Sequence, residues 1–176
     1  PRYTYILLLY VVKGGSVLKF EGFEILDAGV SEDSKKWIDI WLSWPGREIQ
    51  AHPGYVKLFC DENSKPMCAS LNTQDGSVMY PFILRDLKRE PYCKNLPHTI
   101  YDITTPYGYG GPYKWKAKNP ETLALEFWRE FNRWAVKTGI VSEFMRFSLF
   151  EDELLSYPGT KVHRFDNIVR NLNMNE

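Results

Sequence analysis

Between Asn119 and Gly139 the chain carries an uninterrupted helical signature, and no other stretch narrows the choice of fold as much. Asn119-Pro120-Glu121 supplies an N-cap, a proline at the first helical position and an acid where the helix dipole favours one. Leu123, Ala124, Phe127, Trp128, Phe131 and Trp134 then recur at helical spacing, and Lys137 and Gly139 close the pattern. That is about five turns with one strongly aromatic face. A face of this kind needs a broad apolar surface opposite it, and the β-type runs on either side of the helix point to a sheet.

Those runs come in a definite order. Val17 to Leu26 is β-rich with partial alternation. Ser31 offers an N-cap to a first helix, with Glu32 and Asp33 in its first turn and Pro45 ending it. Trp37, Trp41 and Trp44 fall at i, i+4 and i+7 of that helix, which reads as a core stripe. Val56 to Cys60 reads as a short helical stretch. Met67 to Leu71 and Ser77 to Leu84 form a hairpin across Asn72–Gly76, where Asp75-Gly76 is the turn signal, and Pro81 predicts a bulge or an edge in the second strand. Thr99 to Ile103 is a further strand, Ile140 to Phe150 another, Glu151 to Tyr157 a brief helical turn, and Lys161 to Leu172 a last strand-like run. The expected class is α+β with a mixed sheet.

The stretch Tyr101 to Pro112 stands apart. Two prolines bracket it and Gly108, Gly110 and Gly111 loosen it, while Tyr107 and Tyr109 bring flat faces with polar tips. Such a loop presents backbone N–H groups and ring edges to a ligand, or it is a tight turn whose tyrosines cover a core edge. His52 precedes Pro53 in another loop, where it is able to bind a ligand or act as a base; no Ser or Cys nucleophile lies at a recognisable spacing.

Composition sets the outer limits. With 176 residues, one domain or two small ones are expected. Lys+Arg and Asp+Glu balance at 22 each, which gives no electrostatic reason to expect DNA, other nucleic acid or a membrane surface as partner. Cys60, Cys68 and Cys93 are three in number and irregularly spaced, so no metal site is indicated and buried free thiols in a cytoplasmic protein are expected. The longest apolar run, Ile6 to Val12, falls far short of a bilayer span, so no transmembrane segment is expected. Residues 1–15 are left unassigned: an extra edge strand, an oligomer contact, or a segment outside the domain that occupies 16–176.

Taken together, Pro106-Tyr-Gly-Tyr-Gly-Gly-Pro, the long helix, Glu143-Phe-Met-Arg-Phe, Gln50-Ala-His-Pro-Gly-Tyr and Tyr80-Pro-Phe-Ile-Leu-Arg resemble the GNAT-like acyltransferases of the FemAB type, over roughly Phe23 to Leu172. The resemblance implies a GNAT-like fold, a mixed and mostly antiparallel sheet flanked by helices. It implies transfer of an acyl or aminoacyl group onto an amine of a cell-wall or polysaccharide precursor, with acyl-coenzyme A or aminoacyl-tRNA as donor. Members of the family have two acetyltransferase-like domains, and this chain corresponds in length to the first. It lacks the Arg/Gln-x-x-Gly-x-Gly/Ala stretch that cradles a coenzyme A pyrophosphate.

Aminolysis of a thioester or ester needs a base, oxyanion donors and alignment. Glu143 and Asp102 are the candidate bases, Arg85 and Arg146 the candidate partners of phosphate or carboxylate, and Tyr107, Gly108, Tyr109, Gly110, Gly111 and His52 the remaining candidates for substrate binding. The plainer readings are an ion pair anchoring Glu143 and Arg146, and a turn-capping role for Asp102. The alternative function is a non-catalytic half that recognises a sugar-nucleotide or peptidoglycan fragment. A plain interaction module rests only on the N-terminal apolar run.

Overall fold

The structure, a computed structural model, describes residues 22–95, 98–164 and 166–168. It is α+β: a mixed six-stranded sheet with helices on both faces. The expectations placed on residues 1–15, and on the first part of the Val17–Leu26 run, lie outside the described residues.

Strand β1 is Gly22–Asp27, β2 is Ser64–Thr73 and β3 is Gly76–Asp86. They are antiparallel neighbours in that order. The hairpin is tighter than its sequence suggests. Thr73 pairs with Gly76, so only Gln74 and Asp75 form the loop, and Gly76 takes φ +145°, where an L side chain is strained. Strand β4, Tyr101–Thr104, is antiparallel to the far end of β3, and β6, Ile140–Phe144, runs parallel to β4. The short strand β5, Tyr113–Trp115, pairs with the near end of β3.

This last arrangement explains Pro81. Strand β3 is central, yet on the side away from β2 it pairs with β5 over Ser77–Met79 and with β4 over Ile83–Asp86. Residues 80–82 lie in the gap, so a residue without an N–H stands where the ladder is interrupted. The Tyr/Gly loop leaves the sheet at β4 and returns at β5 across that gap.

Alternation along β3 divides the core into two layers. Val78, Tyr80 and Phe82 face helix α3, Pro120–Thr138, whose buried side chains Leu123, Phe127 and Phe131 complete one layer. Met79 and Ile83 face helix α1, Ser31–Ser43, and the short helix α2, Pro53–Lys57. Trp37 and Trp44 are fully buried there, as the stripe on α1 predicts. Helix α3 is capped as expected: Asn119 accepts from the Thr122 N–H at 3.1 Å, and Gly139 closes it at φ +83°.

Several boundaries moved. Helix α1 begins at Ser31, with Val30 as its N-cap residue. Helix α2 starts at Pro53, earlier than Val56, because His52 Nδ1 accepts the Gly54 N–H at 3.1 Å and Pro53 fits the first helical turn. Strand β6 stops at Phe144, short of Phe150; beyond it the chain turns to meet the Tyr/Gly loop. The helical turn after it is confined to Glu151–Glu153. Residues 161–164 and 166–168 form no strand, and the rest of that run lies outside the described residues. No helix among the described residues is long and apolar enough to cross a membrane.

Candidate functional site

An open cleft of about 560 Å³ lies over the last residues of β3, Thr104 of β4 and Phe144 of β6, on the α1/α2 face of the sheet. Arg85, Tyr107 and Arg146, separated by up to 61 positions in sequence, line it together (146 − 85). Phe59 forms part of its wall and stacks on Tyr107 with ring centroids 6.2 Å apart. Tyr55 donates its hydroxyl to the Tyr107 carbonyl at 3.1 Å, which ties the tip of the Tyr/Gly loop to α2.

The two arginines differ in what already holds them. Arg85 stands directly opposite Asp102 in the β3–β4 ladder. Its Nε donates to Asp102 Oδ1 at 2.8 Å and its Nη2 to Oδ2, a fork-to-fork pair. Its hydrogen bonds to Asp102 raise the Arg85 pKa above its ordinary value. Asp102 is buried, with 8% of its surface exposed, and both of its oxygens are occupied. A carboxylate in that position anchors an arginine within the sheet, and it is neither a turn cap nor a free base. Arg146 is exposed, and among the described residues no carboxylate lies within ion-pair distance of it.

Glu143 stands elsewhere. It is opposite Ile103 in the β4–β6 pair, on the α3 face, whereas Asp102 shares the other face with Arg85. The two candidate bases are therefore separated by the sheet. Glu143 accepts from the Tyr80 hydroxyl at 2.7 Å and from Tyr157 at 3.0 Å, and forms no ion pair with Arg146. Burial, then the Glu143 charge, pushes the Tyr80 phenol well above its ordinary value, and the same causes push Tyr157 up to about 12. Glu143→Ala leaves the fully buried Tyr80 hydroxyl without this acceptor and is expected to cost about 1–3 kcal/mol in urea unfolding.

A pH dependence follows from these phenols. Tyr113, held by Glu48, is raised as well, again mainly by burial. A tyrosine raised in the folded state keeps its proton while the unfolded chain loses it above about pH 10, so the unfolded state binds fewer protons there. Stability contributed by Tyr80, Tyr113 and Tyr157 is thus fully present below about pH 10 and falls as pH rises through the folded values. Urea midpoints are expected to be lower at about pH 11 than at about pH 8, with the drop reduced in Tyr157→Phe.

The glycine loop is held more firmly than its composition suggests. Gly110 donates its N–H to the Arg146 carbonyl at 2.8 Å, and its own carbonyl accepts from Ser148 N–H at 2.7 Å. Thr105 Oγ1 accepts from the Arg146 N–H at 3.1 Å. These bonds fix the Arg146 backbone, so Gly110 sets the position of that side chain at the cleft and does not offer its N–H to a ligand. Gly111 is buried at φ +129°, and a Cβ there would press on Leu154 and touch Phe147. Gly108, at φ +92°, lies over Tyr55 and Gln50. Tyr109 donates to Asn167 at 3.1 Å, away from the residues that line the cleft.

His52 caps α2 and meets the edge of Trp41 at 4.9 Å between ring centroids. Cys68 and Cys93 are buried and Cys60 is half-buried, and burial pushes the Cys60 thiol up to about 11, which disfavours its thiolate.

Sequence reasoning missed Phe59, Asp61 and Glu90, which line the cleft, and Glu48. Glu48 accepts from Tyr113 at 2.8 Å and from Ser148 at 2.6 Å, and so joins the α1–α2 connection to β5 and to the segment behind the loop. Nothing local marks these residues as partners. Comparison of the chain with protein-family models, with curated proteins and with solved structures gives no match.

Proposed function

We propose that this chain is a GNAT-like domain of the acyl- or aminoacyltransferase class, of the FemAB type, and that its own part in the reaction is recognition. In this reading it holds a cell-wall or polysaccharide precursor whose amino group is acylated. The observation that carries the reading is the convergence of Arg85, Arg146 and Tyr107 on one open cleft at the ends of the parallel pair β4 and β6. An exposed guanidinium beside a ring wall suits a ligand that bears an anion and a flat or ring-shaped part. The α+β architecture, with a mostly antiparallel sheet flanked by helices, agrees with that class.

Recognition is favoured over catalysis by this chain alone because neither carboxylate singled out as base is free in the cleft. Asp102 is locked to Arg85, and Glu143 is bound to two phenols on the opposite face. The donor, acyl-coenzyme A or aminoacyl-tRNA, and the base then belong to a second acetyltransferase-like domain. Calorimetric titration with acetyl-coenzyme A and with a UDP-amino sugar tests this. Binding of the sugar nucleotide without coenzyme A is the expected result. Saturable coenzyme A binding would transfer the donor site to this chain, and silence from both would overturn the reading.

A further inference from the structure

The charges along the cleft are sorted by sign, and that ordering selects a ligand. At one end stands Arg85, whose guanidinium is already matched by Asp102. Asp61 is tied to Ser64, which stands opposite Arg85 in the β2–β3 ladder, and Asp86 and Glu90 also line the cleft. Both Asp61 and Glu90 feel the Arg85 charge, which helps to hold the Asp61 carboxyl below its ordinary value after its bonds from Ser64 and Asn63. Among the residues that line the cleft, Asp61 and Glu90 thus add negative charge near a guanidinium that Asp102 already matches, which disfavours an anion there. At the other end Arg146 is exposed, with its backbone clamped by Thr105 and Gly110. Phe59 and Tyr107 add stacked ring faces to the same cleft, which suit a cation.

Building on the recognition reading, we propose that the cleft takes a small zwitterion, with an ammonium group held by Asp61 and Glu90 at the Arg85 end and a phosphate or carboxylate held by Arg146. Arg85 is then a positioning residue that organises the acidic end, and Arg146 alone anchors the anion. The amine to be acylated enters with its own negative group attached, which excludes amino sugars that lack an anion as good ligands. Each charged contact at a partly exposed site is expected to change affinity about tenfold.

The test is calorimetric titration with glucosamine 6-phosphate, glucose 6-phosphate and glucosamine. Glucosamine 6-phosphate is expected to bind about tenfold more tightly than either analogue. Arg146→Gln should abolish the advantage of the phosphate and keep that of the amine. Glu90→Gln should do the opposite, with Asp61→Asn as the second variant if Glu90→Gln is not folded by circular dichroism. Equal binding of glucose 6-phosphate, indifference to both variants, or silence from all three sugars overturns the proposal. Tight, variant-sensitive binding with no acyl transfer to the amine when acyl-coenzyme A or aminoacyl-tRNA and the proposed second domain are supplied overturns the transferase reading alone. Transfer to glucosamine with no preference for the phosphate overturns only the zwitterion.

Discussion

Trp37→Ala is expected to lower the free energy of unfolding by about 3–5 kcal/mol, measured by urea denaturation. Trp37 is fully buried at the centre of the α1/α2 layer, and its indole N–H donates to the Ala51 carbonyl at 3.0 Å. Truncation opens a cavity among Ile40, Val56 and Cys68, and it also strips the Ala51 carbonyl of a buried donor. The lost bond lies just before His52 and α2, which carries Tyr55 towards the Tyr/Gly loop. Ligand affinity should therefore fall even where the variant remains folded. A loss below about 1 kcal/mol would mean that the layer repacks freely and that Trp37 does not fix α2.

Gly111→Val is expected to cost about 2–5 kcal/mol and to weaken ligand binding at the same time. Two penalties combine. At φ +129° any L side chain is strained by about 1–3 kcal/mol, and a β-branched one more than most. A Cβ there would stand 3.1 Å from Leu154 Cδ2 and 3.4 Å from Phe147 Cδ1, so Leu154 must give by a few tenths of an ångström before the two Cγ atoms of valine are placed. Phe147 follows Arg146 and bridges Gly110, which couples the loop to the anion end of the cleft. Melting temperature and affinity should drop together. Loss of binding with an unchanged melting temperature would instead make the glycines a direct ligand contact, as their composition first suggests.

Local features were legible because each is decided within a few residues. The cap at Asn119, the apolar face of α3, the Gly139 stop and the Asp75-Gly76 turn depend on hydrogen bonds and φ values of neighbours in the chain. The sequence by itself therefore determined the helices, the hairpin, the core role of Trp37 and Trp44, and the α+β class. The three-residue strand β5 escaped because a run so short carries no period to read.

The site was decided by tertiary pairing. Which face a strand residue takes depends on register, and a shift of one residue reverses it. The β4–β6 pair contains such a shift between Tyr101 and Asp102, and its outcome puts Glu143 on the α3 face and Asp102 opposite Arg85 on the other. Gly110 reads as a free loop glycine until its N–H is found on the Arg146 carbonyl, 36 positions away (146 − 110). Arg85 and Arg146 read as equivalent cations until one is neutralised by Asp102 and the other is left exposed at the cleft. Side-chain type tells what a residue is able to bind; only the folded chain sets which partner has already bound it.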